Sequence, residues 1–227
     1  MPFLQLKPAE QSFIRLARDL TKKLDALVLC EGPSDAEVLK LVVEQPERNV
    51  GVTDCGGVRE VFEVGRYVAV LARLSRRLRG LGVVINADEY GYEERAIALM
   101  NSLKAHGVRV GELVELSEGL YEGLAERRRL LICVMGLHDI PVDKHCVEDH
   151  LIKALVLGGR LSFDEILRRA EEHRQSRPGE KLGSKELIEG LCPDIMDELR
   201  ALVEGRAEIA REVFGRLRRL MDELLRE

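Results

Sequence analysis

The sequence contains no tryptophan, only four tyrosines and five phenylalanines, and no apolar run approaching the ~18 residues that a membrane-spanning helix needs. It also has no basic, apolar, small-residue pattern of a signal peptide at its N-terminus. A chain of 227 residues is long enough for one sizeable core with a helical appendage. We therefore expect a cytoplasmic protein with no membrane contact.

Cysteine is scarce and irregularly placed. The five cysteines are odd in number and contain no C-x-x-C pair, so a disulfide framework is not expected. His138, His145, Cys146 and His150 lie within 13 residues, but their spacing matches none of the usual structural zinc patterns. We therefore interpret this segment as a loop and keep a zinc site as the alternative.

An excess of positive charge is also missing. The chain has 35 Lys and Arg against 40 Asp and Glu, a net charge of -5, so any contact with nucleic acid must come from local patches. A solvated helix face or strand flank is the alternative interpretation of each patch. The candidate patches are Arg73, Arg76, Arg77 and Arg79; Arg127, Arg128 and Arg129; and Arg216, Arg218 and Arg219. The composition, rich in Arg and Glu and poor in Asn, Gln and Thr, hints at a thermophilic source.

Two apolar runs end in acidic residues. The segment 26–35, ALVLCEGPSD, predicts a buried strand that ends before Glu31 and a tight turn into a helix that begins near Ala36. The segment 82–89, GVVINADE, predicts a second strand followed by Asn86, Asp88 and Glu89. Ligand sites in open α/β sheets form outside the carboxyl ends of the strands, so we expect both acidic clusters to face one crevice.

This pair of motifs resembles the TOPRIM domain, an α/β module of topoisomerases, bacterial-type primases, recombination proteins and OLD-type nucleases. Glu31, Gly32 and Asp35 match the family's first motif. In the second motif Asp88 matches the later aspartate of Asp-x-Asp, and Asn86 replaces the earlier one. The resemblance spans roughly residues 26–157 and is closest to stand-alone TOPRIM-like proteins of unknown function.

The resemblance implies a site that binds Mg²⁺ or Mn²⁺ and acts on phosphate esters. Glu31 would be the general base or acid, or a second metal ligand. Asp88 would ligate the metal and Asp35 would be a further ligand through water. Glu148 and Asp149 match a Glu-Asp pair that opens a later helix in these relatives, although acidic residues also suit any first helical turn. The full set of predicted metal ligands is Asp88, Asp35, Asn86, Glu89, Glu148 and Asp149.

Four further residues are candidates for substrate binding. Gly32 lies in the turn after Glu31, and Gly56 with Gly57 forms a double glycine that suits either a turn of positive φ or a backbone exposed to ligand. Lys144 could contact a phosphate, with a solvated loop lysine as the alternative.

The alternation of predicted strands and helices favours an α/β fold of Rossmann-like TOPRIM type, with a mostly parallel central sheet flanked by helices. We expect an α/β domain over residues 1–157, with an N-terminal amphipathic helix at 8–24, and a helical subdomain over 158–227. Further helices are predicted at 35–45, 58–79, 93–106 and from 147. Strands are predicted at 26–30, 49–53, 82–85, 108–115 and 129–135, with a hairpin or flap between the last two.

The last helix, predicted at about 194–226, carries an apolar stripe from Val203 to Leu224 at spacings of three and four. Such a stripe packs on another helix of the chain or on a second copy, and we lean towards a homodimer.

Two other functions stay open beside metal-dependent nuclease or nucleotidyl transfer chemistry. The chain could be a non-catalytic TOPRIM-like module for nucleic-acid binding or assembly, which the neutral Asn86 favours. It could also be a phosphohydrolase of small nucleotides, which suits an acidic protein.

Overall fold

The computed structural model describes residues 3–6, 22–43, 46–72 and 75–226. The helix predicted at 8–24 lies outside these ranges except for its last three residues. Within the described ranges, no helix is both long enough and apolar enough to cross a membrane.

The described chain is an α/β structure, as the alternation of the sequence predicted. Its strands are β1 (Leu4–Leu6), β2 (Ala26–Cys30), β3 (Val50–Asp54), β4 (Gly80–Asn86), β5 (Val114–Ser117), β6 (Leu120–Ala125) and β7 (Arg128–Met135). Its helices are α1 (Pro33–Val42), α2 (Val58–Ala72), α3 (Tyr92–Ala105), α4 (Val147–Leu157), α5 (Phe163–Ser176), α6 (Ser184–Glu189), α7 (Ile195–Gly205), α8 (Ala207–Val213) and α9 (Gly215–Leu225).

The strands form one mixed sheet in the order β1-β3-β2-β4-β7-β6-β5. β2 pairs in parallel with both β3 and β4, and β1 pairs in parallel with β3. The hairpins β5-β6 and β6-β7 are antiparallel. Parallel strands covered on both faces read as continuous apolar runs, and every residue of β2 is buried accordingly.

The chain divides into two compact units. The first comprises residues 1–85, 92–134 and 216–227, and the second comprises residues 86–91 and 135–215. These units differ from the predicted division at residue 157, because the second unit also contains α4 and the end of β4, whereas the last twelve residues belong to the first.

In the first unit, α9 packs directly on the sheet because β4 contains glycines. A Cβ atom on Gly80 would lie 2.9 Å from Leu224 Cδ1, and one on Gly82 would lie 3.4 Å from Leu224 Cδ2. A side chain at Gly80 would force Leu224 to move, and one at Gly82 would be tight against Val28 Cγ2 at 3.2 Å. The two glycines therefore set the approach of α9 to the strand.

A two-residue turn joins β6 to β7 in the first unit. Glu126 and Arg127 both have positive φ, +51° and +66°, which is the backbone that a type I′ hairpin turn requires. The buried Glu126 carboxylate accepts hydrogen bonds from the backbone N–H and the guanidinium of Arg109, each at 3.0 Å. These bonds offset the strain that positive φ imposes on residues other than glycine.

The second unit has its own apolar core. Helices α4, α5 and α6 contribute Ile152, Ile166 and Ile188, each at most 1% exposed. The loop before α4 adds Ile140 and Val142.

The helix predicted at 194–226 is three helices, α7, α8 and α9, with non-helical backbone at Arg206 and Phe214. Both breaks lie beside a glycine, Gly205 and Gly215, and glycine has low helix propensity. Most of the apolar stripe is nevertheless buried within the chain: Phe214 and Leu217 are 0% exposed and Leu224 is 2% exposed, whereas Val203 is half-buried. The stripe therefore gives no support to a homodimer, which stays a prediction.

Two other boundaries differ from expectation. The helix predicted at 58–79 ends at Ala72. The strand predicted at 108–115 is an isolated bridge at Val110 followed by β5 at Val114–Ser117. The polar segment between the strands predicted at 108–115 and 129–135, for which the sequence predicts a hairpin or flap, contains β6 and its turns.

Candidate functional site

Glu31, the predicted general base or acid, is the first residue after β2. Its backbone N–H donates to the carbonyl of Val84 at 2.9 Å, and its carbonyl accepts a hydrogen bond from the N–H of Gly57 at 2.9 Å. Its side chain is half-buried. The backbone of Glu31 is therefore held by two other segments of the first unit, which is the rigid support that a functional side chain needs.

Gly32 and Asp35 close the turn into α1. The Asp35 carboxyl group, 2% exposed, accepts a hydrogen bond from the N–H of Gly32 at 2.8 Å. A Cβ atom on Gly32 would lie only 3.3 Å from this oxygen. The carboxylate caps the helix, whose N-terminal dipole favours negative charge. Asp35 thus has a structural role, and its role as a metal ligand stays a prediction.

The double glycine after β3 is a turn of positive φ. Gly56 has φ +86° and Gly57 has φ +145°, and a Cβ atom on Gly57 would lie 2.9 Å from Glu60 Oε2. Burial raises the pKa of the neighbouring Cys55 thiol to about 12, so this cysteine is protonated and unreactive at neutral pH. The turn geometry alone explains both glycines.

Asn86 caps a helix in the second unit. Its side-chain oxygen Oδ1 accepts a hydrogen bond from the N–H of Val147, the first residue of α4, at 3.1 Å. The side chain of the residue at the N-cap position, Cys146, makes no such bond. The oxygen of Asn86 that would ligate a metal therefore already satisfies one of the exposed N–H groups at the helix start.

Asp88 follows the end of β4 in a left-handed backbone conformation, with φ +53°. Its N–H donates to the carbonyl of His145, and the N–H of His145 donates back to the carbonyl of Asp88, both at 2.8 Å. The preceding residue, Ala87, donates to the carbonyl of Met135 at 2.8 Å. Strained backbone of this kind persists only where surrounding bonds determine it, and it is concentrated at functional sites.

Asp149 is the centre of a buried polar cluster in the second unit. Its side chain is fully buried. Its Oδ2 atom accepts hydrogen bonds from the N–H of Leu137 at 2.8 Å and from Nδ1 of His145 at 2.9 Å, and its Oδ1 atom accepts one from the Ser184 hydroxyl. Both carboxylate oxygens are therefore engaged with the protein. The spacing of four between His145 and Asp149 is a sequence signal for their contact, whereas no sequence signal indicates the contact with Ser184.

The remaining predicted residues of the second unit differ in burial. Glu148 is 8% exposed and lies beside Cys146, whose thiol pKa is raised far above its usual value by burial and then by the Glu148 charge. Glu89 is paired with Lys181. Lys144 is exposed. Its backbone N–H donates to the carbonyl of Leu182, and its carbonyl accepts a hydrogen bond from the N–H of Ser184. Among the predicted site residues of the second unit, Glu148 and Asp149 are therefore the buried acidic residues.

The histidines near α4 do not converge on a metal. His138 and His145 are in edge-to-face contact, with ring centroids 4.8 Å apart. His150 instead bonds the carbonyl of Val213 at 3.0 Å through Nδ1 and stacks on Phe214. His150 is thus a core histidine, and the zinc alternative gains no support.

Most candidate basic patches serve internal contacts of the first unit. Arg77 binds Asp25 through two nitrogens, at 2.9 and 3.1 Å, and lowers the pKa of that carboxyl group. Arg129 pairs with both Glu122 and Glu223. Three more of these arginines donate to backbone carbonyls: Arg128 to those of Ala72 and Ser75, Arg216 to that of Val134, and Arg218 to that of Val42. Arg73 lies outside the described residues.

The donor groups do not form a closed metal cage. Within the described ranges, no three His, Cys, Asp or Glu side chains are grouped so as to hold a metal ion. Mg²⁺, however, is commonly held by one or two carboxylates together with substrate phosphates and water. The predicted ligands therefore do not form a metal site by themselves, and binding of an ion together with a phosphate-bearing substrate, with Asp88 and Glu148 as ligands, stays a prediction.

No protein-family model, curated protein or solved structure matches this chain. The TOPRIM resemblance consequently stays a prediction from the motifs.

Proposed function

We propose that the chain performs divalent-metal-dependent phosphoryl transfer on nucleic acid, as a TOPRIM-like nuclease. The observation that supports this most is the backbone of Asp88. An aspartate pays a conformational cost at φ +53°, and two 2.8 Å hydrogen bonds to His145 hold it there. The cost is understandable if the carboxylate has to be presented in one orientation at the end of β4.

In this proposal the residues have separate roles. Asp88 binds the ion in the second unit, and Glu31 in the first unit keeps the general acid or base role that the TOPRIM resemblance implies. Asn86 and Asp149 hold the start of α4, so that Glu148 in its first turn is fixed in position. When bound, the ion would polarise the phosphoryl group and stabilise the charge that develops on it.

The direct experiment measures cleavage of end-labelled single-stranded, double-stranded and branched DNA and of RNA, with Mg²⁺ or Mn²⁺. We expect wild type to cleave at least one of them. Asp88→Asn and Glu31→Gln should each lower the rate at least about 100-fold, because each removes a charge that acts in the transition state.

Matched controls separate these effects from general loss of charge. Asp164→Asn in α5 and Glu63→Gln in α2 neutralise exposed carboxylates and should leave the rate unchanged. Absence of cleavage by wild type with either metal, or equal rates for wild type and Asp88→Asn, would contradict the nuclease proposal.

A non-catalytic TOPRIM-like module is the second candidate. It is favoured by Asn86 and Asp149, because the oxygens of both side chains are already hydrogen-bonded within the protein. In that case wild type binds one of the labelled nucleic acids in a filter-binding assay without cleaving it. Cleavage that depends on Asp88 rules this candidate out.

Hydrolysis of small nucleotides is the third candidate, and the net charge of -5 favours a small substrate over a polyanion. Release of phosphate from nucleoside triphosphates in the same metal buffers distinguishes it. This activity without nucleic-acid cleavage would replace the nuclease proposal.

A further inference from the structure

A surface cavity of about 260 Å³ lies in the second unit, between the C-terminal half of α5 and the segment that contains α6. Its walls include Arg169, His173 and Arg177 on one side and Glu186 on the other, and Leu182 and Leu187 supply buried apolar surface. A water molecule takes about 30 Å³ of liquid volume. The cavity therefore has room for an organic group of several heavy atoms.

His173 is the most unusual residue of this cavity. Its side chain is only 10% exposed, and both ring nitrogens are buried without a hydrogen bond to any residue that the structure describes. The nearest charged atom is Glu186 Oε1, 3.6 Å from Nε2 and beyond hydrogen-bond distance. Buried polar atoms almost always have a hydrogen-bond partner, so a ring with two unsatisfied nitrogens indicates an interaction that is completed by something else.

Three residues with cationic or donor side chains line the cavity from α5 and its end. Arg169 and His173 are spaced by four on α5, so their side chains are neighbours, and Arg177 is the C-cap residue that follows the helix. Arg177 donates to Glu186 Oε1 at 2.9 Å. Arg169 makes no ion pair or hydrogen bond with any residue in the described ranges. Glu172 also lines the cavity, and Glu180 Oε1 lies 3.7 Å from Arg177. The cavity therefore holds donor capacity, on Arg169 and His173, that the described residues do not satisfy.

The Glu186 carboxylate occupies the position where an anion would be bound. The same oxygen lies 2.9 Å from Arg177 and 3.6 Å from His173. Arg177 and Glu186 are each about half exposed, 53% and 46%, and exposed ion pairs are weak. An external anion can therefore displace this carboxylate at little cost.

We propose that this cavity binds a small phosphate monoester in place of the Glu186 carboxylate. The three donor side chains match the three terminal oxygens of such a phosphate. Arg169 and Arg177 can each donate two hydrogen bonds, and Nε2 of His173 can donate one. Leu182 and Leu187 then pack against the substituent. The site is independent of the residues given a role in phosphoryl transfer.

Calorimetric titration with phenyl phosphate tests the proposal, with inorganic phosphate and benzoate as comparison ligands. We expect phenyl phosphate to bind most tightly, because it alone combines the phosphate with an apolar group. Arg177→Gln and His173→Gln should each weaken its binding at least about tenfold, by removing a charge-assisted bond or a donor.

Glu186→Gln gives the sharpest test because its effect has the opposite sign. Removal of the competing carboxylate should tighten phenyl phosphate binding about two- to fivefold. Glu189→Gln, which neutralises the exposed last residue of the same helix outside the cavity, is the matched control and should have no effect. Thermal melts establish that each variant is folded, and Arg169→Gln replaces His173→Gln if the latter unfolds.

Three results would overturn the proposal. They are absence of binding to both wild type and Glu186→Gln, weaker binding to Glu186→Gln than to wild type, and binding of benzoate as tight as that of phenyl phosphate. Because binding is measured without metal or nucleic acid, the outcome is separate from that of the cleavage assay.

Discussion

The turn after β2 in the first unit and the polar cluster around Asp149 in the second both consist of a carboxylate that accepts hydrogen bonds, but they are assembled differently. Asp35 bonds the backbone of Gly32, three residues away. Asp149 bonds residues 4, 12 and 35 positions away. A local turn tolerates the loss of its carboxylate because water can replace one bond, whereas a buried centre leaves several donors without partners. Stability should therefore depend far more on Asp149 than on Asp35.

Removal of the two carboxylates gives the largest expected difference. Asp149→Ala should lower the free energy of unfolding by about 3 to 5 kcal/mol, because the Leu137 N–H, the His145 ring and the Ser184 hydroxyl all lose an acceptor. Asp35→Ala should lower it by about 1 kcal/mol, the usual effect of losing a helix cap. Urea denaturation measures both values. Equal losses would show that Asp149 is not the centre of the second unit.

Alanine at two glycines extends the comparison to the backbone. Gly136, in the second unit, has φ +129°, and a Cβ atom there would lie 2.7 Å from the Cβ of His145. Gly57 has φ +145°, but its close neighbour is the flexible end of Glu60. We expect Gly136→Ala to cost about 2 to 4 kcal/mol and Gly57→Ala about 1 to 2 kcal/mol in thermal or urea unfolding. The reverse order would contradict the rigidity assigned to the His145 segment.

Substitutions at Asn86 separate helix capping from metal binding. Asn86→Ala should cost about 1 kcal/mol, because the N–H of Val147 loses its acceptor. Asn86→Asp should keep this bond and change stability by less than about 0.5 kcal/mol, while it adds a charge that raises Mn²⁺ affinity. Urea unfolding and calorimetry measure the two effects. If Asn86→Asp leaves Mn²⁺ affinity unchanged, position 86 serves the helix only.

The smallest expected effect concerns acid unfolding. Hydrogen bonds from Arg129 hold the pKa values of Glu122 and Glu223 below their usual range. Because these pKa values are lower in the folded chain than in the unfolded one, the stabilisation is complete above the unfolded glutamate value near 4.3 and is lost as pH falls through the folded values. Arg129→Gln should remove about 1 kcal/mol at pH 7.

The measurement compares urea unfolding of wild type and Arg129→Gln at pH 7 and pH 3. The difference between the two proteins should shrink at pH 3, because the pH has then fallen below the unfolded glutamate pKa and towards the lowered folded values. A constant difference would mean that Arg129 acts through its bond to the Glu223 carbonyl rather than through charge.

Structural features that depend on residues close in sequence were predicted, and features that depend on residues distant in sequence were missed. The bounds of β2 and the start of α4 at Val147 follow from local periodicity and were predicted correctly. The strand β6 was not predicted as such, because pairing with its neighbouring strands, rather than its own composition, makes it a strand. The breaks in the last helix and the bond from Ser184 to Asp149 depend on tertiary packing, which a residue pattern does not contain.

The most direct test of the proposed function is calorimetric titration of Mn²⁺ into wild type and Asp88→Asn, each with and without a short oligonucleotide. We predict that the oligonucleotide strengthens Mn²⁺ binding to wild type, since the protein supplies too few ligands alone, and that Asp88→Asn weakens that binding at least about tenfold. Equal Mn²⁺ binding by the two proteins, or none by wild type with the oligonucleotide present, would contradict a metal-dependent site at Asp88.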